Sequence, residues 1–175
     1  MKRNHLMRLT TLLSEKKSTI LGRWLTTIYE SYPPETAIFL RKEKDRFDNP
    51  VGYRISQGLE GLYGALLQDM EREQILAYLD EIIRIRALQD FSPSQALAFI
   101  FLLKNVIRAE LAAEIAKDNL AAELLELESR IDGLALLGFD VYTQRREKLH
   151  DVRVGEMKSR ISAFLRKSGI GGDSL

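Results

Sequence analysis

The sequence contains no cysteine. That single absence removes disulfides, thiolate nucleophiles, cysteine-type zinc sites, iron–sulfur clusters and thiol redox sensing. Histidine is almost as scarce: His5 and His150 stand at opposite ends of the chain, outside the most apolar segments. No HExxH, GxSxG or paired Glu-x-x-His motif occurs, so neither a catalytic residue nor a metal site is expected. Charge of one sign is also lacking. The 26 basic and 25 acidic residues interleave to a net charge of +1, which leaves no electrostatic footprint for nucleic acid. Long hydrophobic runs are missing too, because the longest, residues 96–103, stops at Lys104, far short of the ~20 residues that span a bilayer. The basic start reaches Arg8, Thr10 and Thr11 before any signal-like apolar core forms. A cytoplasmic protein with no membrane insertion is expected.

What is present is helical. With 175 residues, 45% hydrophobic and 29% charged, the chain suits one globular domain able to bury a core. We expect a helical domain over residues 1–165 and a flexible tail over 166–175. The most strongly specified element begins at Ser92, a good N-cap, with Pro93 in the first turn and Gln95 placed to close a capping box. Residues 96–103 are apolar all round, which predicts a surrounded helix, extended by Val106, Ile107 and Leu111 to about Lys117.

The remaining elements fall on either side of this spine. Leu6, Leu9, Leu12 and Leu13 open a helical stripe that Ile20, Leu21, Trp24, Leu25 and Ile28 continue, with a bend near residues 14–18. Tyr32-Pro33-Pro34 ends it, and a short helix over residues 35–40 follows. Asn49 and Pro50 start a helix to about Gln68, in which Gly58, Gly61 and Gly64 each lower helix propensity by up to ~1 kcal/mol. A groove for a ligand or a tight helix crossing would account for them. Asp69 is placed to cap the next helix, which ends near Leu88. Its Arg84 and Arg86, two apart, cannot share a face, so one of them is expected to be partly buried, either at an anion contact or in an ordinary ion pair. After a break at residues 117–119, Leu120, Leu124, Leu127, Ile131, Leu134, Gly138 and Val141 follow a heptad seam, with Arg145 and Leu149 in register. Glu123, Glu126 and Glu128 read as the wet face of that helix, and Trp24, Phe91, Phe99, Phe101 and Phe139 as core.

Three stretches resemble the RsbRD N-terminal domain family, the sensory domains of stressosome RsbT co-antagonist proteins. The first covers residues 24–55, with Tyr32-Pro33-Pro34-Glu35 and Lys44-Asp45-Arg46-Phe47-Asp48-Asn49-Pro50-Val51-Gly52. The second is Ile83-Arg84-Ile85-Arg86-Ala87-Leu88-Gln89-Asp90-Phe91-Ser92-Pro93-Ser94-Gln95-Ala96, continuing through Phe99 to Lys104. The third is Arg130-Ile131-Asp132-Gly133-Leu134-Ala135-Leu136-Leu137-Gly138-Phe139-Asp140-Val141-Tyr142, with Arg145-Arg146-Glu147-Lys148 after it.

The resemblance implies an all-α, haem-free, globin-like bundle of about five to six helices with a long C-terminal helix. No cofactor is expected, since Tyr78 is the only plausible proximal ligand on the helix before the spine. The family's sensory domain precedes a STAS domain, whereas this sequence stops soon after the last helix, so a stand-alone or cut sensory module is expected. The implied function is non-enzymatic regulation through a protein partner in a signalling pathway, by a homodimer. The candidate partner surface is the polar connector, Lys44, Asp45, Arg46 and Asn49, with Arg145, Arg146, Lys148 and Arg153 of the last helix. The rival expectation is a small-molecule carrier with a pocket between the glycine-bearing helix and the spine.

Overall fold

The computed structural model describes residues 3–42, 47–68, 70–89 and 91–167, with side chains from Arg8 onward. All the elements among the described residues are helices: α1 (Arg3–Glu15), α2 (Lys17–Tyr29), α3 (Pro34–Lys42), α4 (Pro50–Leu67), α5 (Arg72–Leu88), α6 (Pro93–Glu110), α7 (Ala112–Asp118) and α8 (Ala121–Lys167). The chain divides into two compact units, Met1–Tyr142 and Thr143–Leu175. The second contains the end of α8, of which no residue from 143 to 167 is buried. The expected tail from residue 168, and Asp69, lie outside the described residues.

Among the described residues eight helices replace the five to six expected, because two long stripes are interrupted. The first breaks at Lys16, as the bend near residues 14–18 predicts. The second break overturns an expectation: residues 93–117 are not one helix, since Leu111 leaves helical geometry at φ −112° and ψ 14° and restarts the chain as α7. One side chain ties the two breaks together. Lys16 Nζ donates to Glu110 O at 2.8 Å and to Glu114 Oε1 at 2.7 Å, so it reaches a carbonyl that the end of α6 leaves without an intrahelical partner.

The α6 start carries the capping box its sequence predicts. Gln95 N donates to Ser92 Oγ and Ser92 N donates to Gln95 Oε1 at 3.0 Å. Asn49 caps α4 by accepting from Gly52 N at 2.8 Å. The core gathers Trp24 and Ile28 of α2, Ile55, Leu59 and Leu62 of α4, Leu79, Ile82 and Ile83 of α5, Phe99, Ile100 and Leu103 of α6, and Leu127, Ile131 and Leu134 of α8. Two buried aromatics keep their polar ends satisfied, as they must: Trp24 Nε1 donates to Phe99 O at 2.7 Å and Tyr63 OH to Leu13 O at 2.8 Å. Burial pushes the Tyr63 phenol well above its ordinary range.

Two groups of residues depart from expectation. Phe101 and Phe139 are exposed rather than core, because α6 and α8 each bury one face and leave the other to solvent. Conversely, only Glu126 of the three acidic residues lies on the wet face. Glu123 is buried and accepts from Leu9 N at 3.1 Å, and buried Glu128 takes a bidentate pair from Arg108 at 2.6 and 2.7 Å. Partners within the bundle replace the water a carboxylate loses on burial.

The glycines mark a helix crossing rather than a ligand groove. A methyl group on Gly61 would lie 2.3 Å from the Tyr78 ring, and one on Gly58 2.7 Å from Ile82 Cγ1, both on α5. Gly58 and Gly61 therefore seat α5 against α4. Gly64 is different, since its nearest neighbour would be Met70 Cε at 4.0 Å. Gly61→Ala is thus expected to destabilise the protein by about 1–3 kcal/mol through overpacking, while Gly64→Ala stabilises it by about 0.5–1 kcal/mol through helix propensity. Urea unfolding of the two variants checks the opposite signs. A second expectation concerns pH. The Lys16 hydrogen bond holds the Glu114 carboxyl below its ordinary value, so its contribution to stability is present above the unfolded-state pKa and lost as pH falls through the folded one. The stability gap between the protein and Glu114→Gln should close on acidification, read from urea midpoints across that range.

Candidate functional site at the turn between α5 and α6

The turn between α5 and α6 joins four parts of the first unit around one arginine. Arg86, in the last turn of α5, is only 1% exposed. Among the described residues its partners include no carboxylate. Nη2 donates to Gln95 O at 2.9 Å and to Ser31 Oγ at 3.0 Å, while Nε and Nη1 find no hydrogen-bond acceptor among the described residues. The guanidinium lies instead against aromatic rings, 4.3 Å from the centroid of Phe91 and 5.5 Å from that of Tyr32. Those rings meet edge to face at 5.3 Å, and Tyr32 OH donates to Gln89 Oε1 at 2.9 Å.

Each position has a local cause. Tyr32 precedes Pro33 and Pro34, which end the α2 region and turn the ring back toward α5. Ser31 Oγ donates to Ile28 O at 2.6 Å, so Arg86 grips the end of α2 through the serine. Phe91 stands next to the capping box that starts α6. Burial lowers the Arg86 guanidinium from its ordinary value, with Tyr32 acting in the opposite direction, and raises the Tyr32 phenol. A guanidinium starts so high that it stays a cation. Its charge is offset by ring quadrupoles and two neutral acceptors. Among the described residues the arrangement pairs no acid with a base. What it does is hold the turn in one place.

The turn also reaches α8. Tyr142 OH donates to Phe91 O at 2.6 Å, and Tyr142 is the last residue of the first unit. Above it, α6 and α8 run antiparallel: Lys104 pairs with Asp132, Arg108 with Glu128, and Gly138 sits against Leu97 and Ile100.

The candidate partner residues are distributed as follows. Lys44, Asp45 and Arg46 lie outside the described residues. Asn49 is buried at 3% exposure, and its amide is engaged on both sides, accepting from Gly52 N and donating to Leu40 O at 3.2 Å. It therefore faces inward instead of forming part of a polar surface. Arg145 and Arg146 are half-buried, and Lys148 and Arg153 exposed, all on α8 in the second unit. Sequence reading anticipated one half-buried arginine of the pair Arg84 and Arg86, but not its aromatic seat. The only available signal was the pair of aromatics, Tyr32 and Phe91, beside prolines at two separate turns.

Clefts occur elsewhere. One of about 370 Å³ is lined by Leu21, Leu25, Ser56, Leu59 and Glu60 among others, and a second of about 290 Å³ by Leu25, Tyr29, Leu40, Tyr53 and Ser56 among others. Among the described residues no group of three or more His, Asp or Glu side chains is placed to hold a metal ion, and no helix is long and apolar enough to cross a membrane.

The family model described as the RsbT co-antagonist protein rsbRD N-terminal domain matches residues 18–157. The chain belongs to this family. No curated protein and no solved structure matches it. The RsbRD N-terminal domain match takes in the whole Arg86 cluster and Tyr142, and it ends within the second unit, before the close of α8. Arg86→Ala is expected to destabilise the domain by about 2–4 kcal/mol, because it removes charged hydrogen bonds and ring contacts together. Arg86→Lys should recover little of this, since an ammonium cannot lie flat on Phe91 while reaching both acceptors. Urea unfolding with a near-ultraviolet signal from the aromatic cluster checks both.

Proposed function

We propose that this RsbRD N-terminal domain is a non-enzymatic regulatory module of a stress-signalling pathway, globin-like in arrangement, which passes its signal to a protein partner through α8. The observation that carries the reading is the hydrogen bond from Tyr142 to Phe91. It fixes α8 to the Arg86 cluster at the boundary of the first unit, on a helix that continues with no further buried residue to Lys167. A shift of the α5–α6 turn would reach α8 directly there. The same reading includes a homodimer. Exposed Phe101 of α6 and exposed Leu136 and Phe139 of α8 lie at the same level of the antiparallel pair, beside the oppositely charged Lys104 and Asp132. Such a face can meet its own two-fold copy without net charge repulsion.

The test is an affinity pull-down from native cell lysate, with the intact chain beside a variant truncated after His150. A partner held by the intact chain and lost on truncation is the expected result. Identical partners for both forms would remove α8 from the mechanism. If both came down alone but carried a small molecule in native mass spectrometry, a carrier function would replace the proposal, with the two clefts along α2 and α4 as its seat.

A further inference from the structure

The end of α8 carries a second seam, distinct from the one that packs in the first unit. Val154, Met157, Ile161 and Phe164 follow one another at intervals of three, four and three, the a and d positions of two heptads. Met157, Ile161 and Phe164 are exposed, Phe164 at 68%, and Leu165 beside them is at 40%. The four seam residues cover about 80° of the helix, the narrow a and d stripe of helix pairing, and Leu165 widens it to about 100°. Its flanks are basic. Arg153, Arg160 and Lys167 recur every seventh residue along one edge, the g positions, and Lys158 stands on the other edge at e.

We propose that residues 153–167 are a docking helix for an acidic amphipathic helix of another protein, one with apolar a and d positions and Glu or Asp on its flanks. The inference rests on the signalling reading above and names the chemistry of the partner. Charge decides against a second copy here. In a parallel pair Arg153 would face Lys158 of the other copy, and in an antiparallel pair the g residues would face one another, all basic. The a and d spacing favours a helix over a bilayer, because a strict seam is the narrow stripe of helix pairing rather than a general amphipathic face. An acidic helix turns both flanks into attraction while burying the same four seam residues.

Two synthetic heptad peptides test this against the full chain, each with Ile and Leu at its seam, one with Glu and the other with Lys at its flanking positions. The acidic peptide should bind at least about tenfold more tightly than the basic one, and its affinity should fall about tenfold or more between low salt and about 0.5 M salt. Met157→Asp with Ile161→Asp should abolish binding. Arg153→Glu with Arg160→Glu and Lys167→Glu should switch preference to the basic peptide. These positions are unburied, so unchanged circular dichroism confirms that each variant folds. No binding of the acidic peptide, or equal binding of both, overturns the proposal. So does capture by phosphatidylglycerol vesicles without peptide binding, or a dimer in sedimentation that the Asp variant abolishes. If the peptide fails while truncation after His150 still strips a partner from the chain, the helix chemistry is wrong and the signalling reading stands. If both fail, both are lost.

Discussion

A bundle of many short helices has many helix ends, and each end leaves carbonyls that the helix itself cannot satisfy. In this chain the answer is repeatedly a side chain from another helix. Tyr63 bonds Leu13 O at the end of α1, Asn49 bonds Leu40 O at the end of α3, Arg130 bonds Ala65 O at the end of α4, and Lys16 bonds Glu110 O at the end of α6. Ser31 bonds Ile28 O at the end of α2 locally and is itself held by Arg86 of α5. The other four bonds join separate elements, so the ends of those helices and their packing are one constraint.

Arg86 is the extreme case. Its hydrogen bonds and ring contacts join the end of α2, the α5–α6 turn and the first turn of α6, and Phe91 extends the junction to Tyr142 of α8. A buried guanidinium that rests on aromatic rings and neutral oxygens is an unusual centre. Removing water from a charge is unfavourable, and the compensation here is spread over two rings and two neutral oxygens. Such a cluster depends on all its members at once, and it lies within the stretch that matches the RsbRD N-terminal domain family.

The sequence was most legible where local chemistry decides. The Ser92 capping box and the Asn49 cap with Pro50 follow from side chains that act on their own neighbours, and the bend at Lys16 falls where the sequence places it. The family also followed from short motifs in order. It failed where one face of a helix had to be chosen. Phe101 and Phe139 are exposed and Glu123 and Glu128 buried, because which side of α6 and α8 meets the bundle depends on partners far away in sequence. Asn49 shows both sides of this. Its cap to Gly52 was readable, but its bond to Leu40 O, which turns it inward, was not.

By itself, then, the sequence determined an all-helical chain, the positions of most helix starts and stops, and the family. These depend on residue type and spacing, which a linear chain carries in full. Tertiary structure alone decided the crossing that seats Gly61 against Tyr78, the break at Leu111, the partners of the buried carboxylates and the aromatic seat of Arg86. Each of these is a relation between residues on different elements, and no local propensity encodes which of several polar or apolar faces will find its partner once the helices have packed.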